Sequence, residues 1–151
     1  MVFKINIAEK NGKTFHLESD SEEFVGKELH NKIEGKDISG DLSGYEFEIT
    51  GASDNAGFTS HEKVEGTALK KLLLTYGKGL HKRPRREGKR KVSNFTPKGL
   101  RLRKTVRGKV ISPSIVQINL KIIKEGGKKL SEVFPDQNQP KQIAEKPVAA
   151  E

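Results

Sequence analysis

"VFKINIAEKNGKTFHL", residues 2–17, decides the class of fold. Phe3, Ile5 and Ile7 alternate with Lys4 and Asn6, a period of two that places the apolar residues on one face of a half-buried strand. Asn11-Gly12 supplies the turn chemistry of a tight hairpin. Phe15 and Leu17 then repeat the alternation on the way back, so a β-hairpin is expected over residues 2–18.

The same period returns along the chain. In "YEFEIT" (45–50) Tyr45, Phe47 and Ile49 point inward and Glu46, Glu48 and Thr50 outward. In "SIVQINLKII" (114–123) Val116, Ile118, Leu120 and Ile122 are expected inward. "LRLRKTVRGKV" (100–110) sets Leu100, Leu102, Val106 and Val110 against Arg101, Arg103, Arg107 and Lys109, with Lys104 breaking the apolar row. "TALKKLLLTYG" (67–77) fits a helix through Leu69, Leu72, Leu73 and Tyr76 or a strand through Leu72, Leu74 and Tyr76; its neighbours favour the strand.

Between these, "DSEEFVGKELHNKIEGKDI" (20–38) has Asp20 or Ser21 as candidate caps and a weak stripe of Phe24, Leu29 and Ile33. Gly26 and Gly35 limit it to short helical turns. "GDLSG" reads as a loop and "GASDNAG" as turn throughout. About six strands with little helix predict a mainly β fold, a small β-barrel whose closure removes sheet edges.

Composition sets limits on the rest. In 151 residues only 32% are hydrophobic, so part of the chain is expected to lie outside a packed core. Residues 1–77 are read as barrel body, 78–99 as an extended basic segment, 100–130 as closing strands, and 131–151 as a Pro-rich, disordered tail. With no cysteine there are no disulfides and no Cys-ligated metal, which suits a reducing compartment. No signal peptide is visible at the N-terminus, and no apolar run reaches membrane-spanning length.

Net charge is +9, unevenly spread. Residues 78–109 hold fourteen Lys and Arg against Glu87 alone, while the remainder holds fifteen basic and nineteen acidic residues. "HKRPRREGKRK" (81–91) is the densest part. Like charges at this density repel unless a polyanion lies opposite. A membrane-binding segment would need an apolar face, and residues 78–99 offer only Leu80, Val92 and Phe95. Seven of the cations are Arg, whose planar guanidinium grips phosphate bidentately. Lys82, Arg83, Arg85, Arg86, Lys89, Arg90, Lys91, Arg101, Arg103, Lys104 and Arg107 are therefore the candidate nucleic-acid-binding residues. Few aromatics are available for stacking, so phosphate and shape contacts to folded RNA fit best.

Catalytic signals are weak. His16, His30, His61 and His81 lack ligand spacing, and no cofactor or metal is expected. The carboxylates of "SDSEE" (19–23) match a helix start. A small RNA hydrolase using Asp20, Glu22 and Glu23 is the enzymatic alternative. "GKG" (77–79) lacks the remainder of a P-loop.

"GLHKRPRREGKRK", "KGLRLRKTVRGKVIS" and "VQINLKIIKEGGKKL" closely resemble the small-subunit ribosomal protein S-six-e family of archaea and eukaryotes. "ITGASDNAGF" (49–58) is similar to that family's Ile-Thr-Gly-Gly-x-Asp-x-x-Gly-Phe-Pro-Met signature. It keeps Ile49, Thr50, Gly51, Asp54, Gly57 and Phe58, with Ala52, Thr59 and Ser60 departing from it. The chain's length resembles archaeal members; the long basic C-terminal helix of eukaryotic members, with its phosphorylated serines, has no counterpart after Pro135. The resemblance implies a structural constituent of the small ribosomal subunit, with ribosomal RNA and neighbouring ribosomal proteins as partners and no membrane. A free RNA-binding or translation-associated module is the alternative.

Overall fold

A computed structural model describes residues 2–82 and 98–138. Seven strands form: β1 (Phe3–Ala8), β2 (Thr14–Ser19), β3 (Lys32–Glu34), β4 (Glu46–Asp54), β5 (Leu69–Thr75), β6 (Arg101–Arg107) and β7 (Ile115–Lys124). The only α-helical turn among the described residues is α1 (Leu130–Val133), and three 3₁₀ turns lie at Glu22–Phe24, Gly35–Asp37 and Gly40–Leu42.

The mainly β expectation holds; a closed barrel is not found among the described residues. Five strands form one sheet in the order β2-β1-β7-β4-β3, and β5 and β6 form a separate two-stranded ribbon. No closed sheet exists among the described residues. β1 runs parallel to β7, and the other sheet pairings are antiparallel. Among the described residues β4 and β6 do not pair directly: the loop after β4 bridges back to Ser53 at Thr59 and across to Arg107 of β6 at Ser60. Instead of a barrel wall, the loops and 3₁₀ turns cover the apolar face. Phe24, Leu29, Leu42, Ile111 and Leu130 pack onto Phe3, Ile5, Ile7, Phe47, Ile49, Ile118 and Leu120.

The first hairpin forms as read. Gly12 closes it at φ +84°, a left-handed conformation that costs a glycine nothing, and its amide donates to the Glu9 carbonyl at 3.0 Å. Four local readings are corrected. "GASDNAG" is strand as far as Asp54, with a register shift between Ile49 and Gly51 that a turn-rich composition concealed. "GDLSG" includes a 3₁₀ turn. β3 was missed, because three residues are too few to show a period. Ile115 is buried where Val116 was expected, because a second shift opposite Ser53 and Asp54 turns the start of β7 by one residue.

The C-terminal part of the described chain, up to Asn138, lies on β2. Phe134 meets Phe15 at 5.9 Å between ring centroids. The Gln137 side chain accepts from the His16 amide and donates to the His16 carbonyl, both at 2.7 Å, and Asn138 donates to the Thr14 carbonyl at 2.9 Å. Side-chain amides thereby occupy the open edge of β2 as a further strand would. The rest of the expected tail, 139–151, falls outside the described residues.

Candidate nucleic-acid interface

The ribbon is held to the main sheet at a joint built by residues 54–60. β4 ends at Asp54, whose Oδ1 accepts from the Phe58 amide at 2.9 Å while Gly57, at φ +81°, turns the chain back. Asp54 Oδ2 accepts from Arg107 Nε at 2.9 Å, and Arg107 Nη1 donates to the Thr67 carbonyl at 3.3 Å. Burial pushes the Asp54 carboxyl up, but the Arg107 guanidinium and the Phe58 amide outweigh it and hold the group below its ordinary range. The backbone locks the same place: the Arg107 amide donates to the Thr59 carbonyl and the His61 amide to the Arg107 carbonyl. Gly108 follows, and a Cβ there would lie 1.8 Å from the Gly66 carbonyl oxygen, so only glycine lets the 64–68 strand of chain cross it.

Beyond this joint the ribbon carries Lys70, Lys71, Arg101, Arg103, Lys104 and Arg107 and no acid. Register decides what shares a face. Val106, Leu74 and Leu102 pack inward with Leu72, Val64 and Leu80 as a small second core. The opposite face pairs Leu69 with Arg107, Lys71 with Thr105, Leu73 with Arg103 and Thr75 with Arg101. Arg101, Arg103, Lys104, Lys70 and Lys71 are all exposed. Among the described residues none of their side chains forms an ion pair. Cations nearer the main sheet behave differently: Lys109 meets Glu28 at 3.0 Å and Glu65 at 2.8 Å, Lys78 meets Glu62 at 2.8 Å, and Lys4 lies 3.9 Å from Glu18.

Of the candidate residues read from sequence, Arg101, Arg103 and Lys104 lie together on β6, and Lys82 is exposed where the chain leaves the second core. Arg107 sits apart from them in role, half-buried and bound to Asp54. Arg83, Arg85, Arg86, Lys89, Arg90 and Lys91 lie outside the described residues. Lys70 and Lys71 were missed. Their signal was the "KK" of "TALKKLLLTYG", but only pairing with β6 puts Lys71 on the face of Arg101 and Arg103.

A second polar cluster anchors the root of the basic segment. His30 Nδ1 lies 2.8 Å from Glu48 Oε1, and its Nε2 lies 3.0 Å from Glu62 Oε1. Lys78 Nζ donates to Glu62 at 2.8 Å and to the Thr50 carbonyl at 3.2 Å. Glu48 and then Glu62 raise the His30 pKa. Lys78 and then His30 hold Glu62 down to about 2. This cluster ties three loops to β4. No group of three or more His, Asp or Glu able to hold a metal occurs among the described residues. Of the carboxylates at 20–23, Glu22 and Glu23 lie in the first turn of a 3₁₀ helix that Ser21 caps by accepting from the Glu23 amide. No helix among the described residues is long and apolar enough to cross a membrane.

Residues 3–135 match a family model described as Ribosomal protein S6e. Relatives named small ribosomal subunit protein eS6 are similar over most of the chain. The Methanocaldococcus jannaschii protein is 35% identical over 125 residues, 83% of this chain and 84% of the relative. The Methanoculleus marisnigri protein is 35% identical over 147 residues, 95% and 98% of the two chains. The Halobacterium salinarum protein is 33% identical over 136 residues, 87% and 92%. Matched along nearly its whole described length, and carrying the Asp54-Gly57-Phe58 joint that orients its basic ribbon, this chain belongs to the ribosomal protein S6e family.

Proposed function

We propose that this protein is a structural constituent of the small ribosomal subunit in the cytoplasm, and that it binds ribosomal RNA through its Arg/Lys-rich segment and ribbon. The role is structural, not catalytic. The observation that carries the reading is the ribbon's acid-free row of exposed cations on a body that elsewhere sets carboxylates beside its lysines. Exposed like charges that close gain free energy only from a polyanion. Family membership supports the ribosome as its source. The main sheet and joint hold the ribbon, so that Arg101, Arg103 and Lys104, together with Lys82, Arg83, Arg85, Arg86, Lys89, Arg90 and Lys91, neutralise closely spaced phosphates and let RNA helices approach.

Ultraviolet crosslinking of the native protein in cell lysate, with both peptide and nucleotide mapped, tests this. Crosslinks from residues 82–104 to small-subunit ribosomal RNA, in particles that keep the protein through moderate salt, are expected. A protein that washes from those particles is a free RNA-binding module instead. Crosslinks confined to residues outside 70–107 would overturn RNA binding by the basic segment and ribbon.

A further inference from the structure

We infer that the outer face of the β5–β6 ribbon docks in the minor groove of a double-stranded RNA, with Leu69 and Leu73 lying on riboses and Lys71, Arg101 and Arg103 on the flanking phosphates. The inference rests on the proposed RNA binding and specifies the form of RNA this surface takes. Its starting point is a feature that phosphate neutralisation leaves unexplained. Leu69 and Leu73 are 48% and 59% exposed, and Leu73 is the most exposed large apolar side chain among the described residues. Both stand on the outer face between cations.

The face runs Leu69, Lys71, Leu73, Thr75 along β5 and Arg107, Thr105, Arg103, Arg101 along β6. One strand is therefore mostly apolar or hydroxylated, and the other presents the exposed guanidiniums of Arg101 and Arg103 beside Thr105, with Arg107 turned to Asp54. A protein partner reading those leucines would meet them among uncompensated positive charges. A lipid surface would find only two leucines and no aromatic. Single-stranded RNA is read by stacking, and the face carries no aromatic side chain. Within an RNA duplex the major groove is too deep and narrow for side chains to enter, whereas the minor groove is wide, shallow and lined with ribose 2′-hydroxyls. Such a groove offers sugar C–H surface for leucine methyls, hydroxyls for Thr75 and Thr105, and phosphates along its rims for Arg101 and Arg103. Among the described residues β5 pairs with β6 alone, which leaves its other backbone edge without a strand partner. Seven residues of ribbon span about 20 Å, long enough to cross the groove.

The test uses the full-length protein and fluorescence anisotropy against an RNA duplex and the DNA duplex of the same sequence. The wild type is expected to prefer the RNA duplex. Leu69→Ala with Leu73→Ala is expected to weaken RNA-duplex binding about tenfold without changing its salt dependence, because apolar contact releases no counterions. Leu73→Asp should weaken it further. Lys71→Ala should flatten the log–log salt slope by about 1. A melting scan confirms that the variants fold. Equal affinity for DNA, or a leucine pair whose removal leaves RNA-duplex binding unchanged, overturns this inference alone. Loss of another ribosomal protein from the native particle with RNA binding intact would assign the leucines to a protein contact and also overturn it. Failure of the wild type to bind any RNA sinks the proposed function with it.

Discussion

Asp54 shows how one side chain serves both fold and interface. It turns the loop through the Phe58 amide and fixes the ribbon through Arg107, with both partners largely withdrawn from solvent. Asp54→Ala leaves the guanidinium without its anion and should cost about 3 kcal/mol in a urea unfolding titration. Asp54→Asn, which can still accept from Phe58, should cost less. His30 makes a separate prediction about pH. Its folded pKa is raised above 6.5, so its contribution is present in full below that value and is lost as pH rises through the folded pKa. Wild type should therefore melt higher than His30→Asn in mildly acidic buffer, and the gap should close in alkaline buffer. Asparagine tolerates the positive φ of 70° at this position, so the comparison reads the charge and not the backbone. A gap that is constant with pH would remove the ion pairs from the account. Neither network was legible beforehand. Asp54 was visible only as part of a family-like motif, and His30 as a scattered histidine, because their partners are distant in sequence.

Elements differ in how much core they own. β1, β4 and β7 share a cluster of nineteen buried apolar residues, whereas the ribbon rests on four. Opening of the ribbon should thus precede global unfolding. Native-state hydrogen exchange is expected to show the amides of β4 and β7 exchanging last and those of β5 and β6 well before them. Gly108→Ala forces a Cβ against the Gly66 carbonyl, and should speed exchange in the ribbon far more than in β1. Equal protection of ribbon and sheet would show that the two cores open as one. Strands with four or more alternating residues were readable in advance, since period two survives any environment that has one dry face. β3 was too short to be read this way. The far half of β4 was hidden by residues chosen for a bulge and a joint.

At the scale of the whole molecule, charge is segregated: residues 78–109 hold fourteen Lys and Arg against Glu87 alone, and the β5–β6 ribbon carries cations and no acid. If about eight of those cations meet phosphate, the logarithm of RNA affinity should fall against that of salt with a slope of roughly −6 to −7. A slope shallower than about −3 would mean that the segment does not lie along the backbone. Alternation and charge density are local properties of a chain, so the β class, the first hairpin, the run of basic residues and the family resemblance could be read from residues alone. It took the folded chain to show that the described strands form an open sheet and a separate ribbon, that Arg107 holds the joint while Arg101 and Arg103 face outward, and that Lys71 and two leucines stand beside them. Those outcomes depend on strand register and on which distant residues meet, and neither is written in any single stretch.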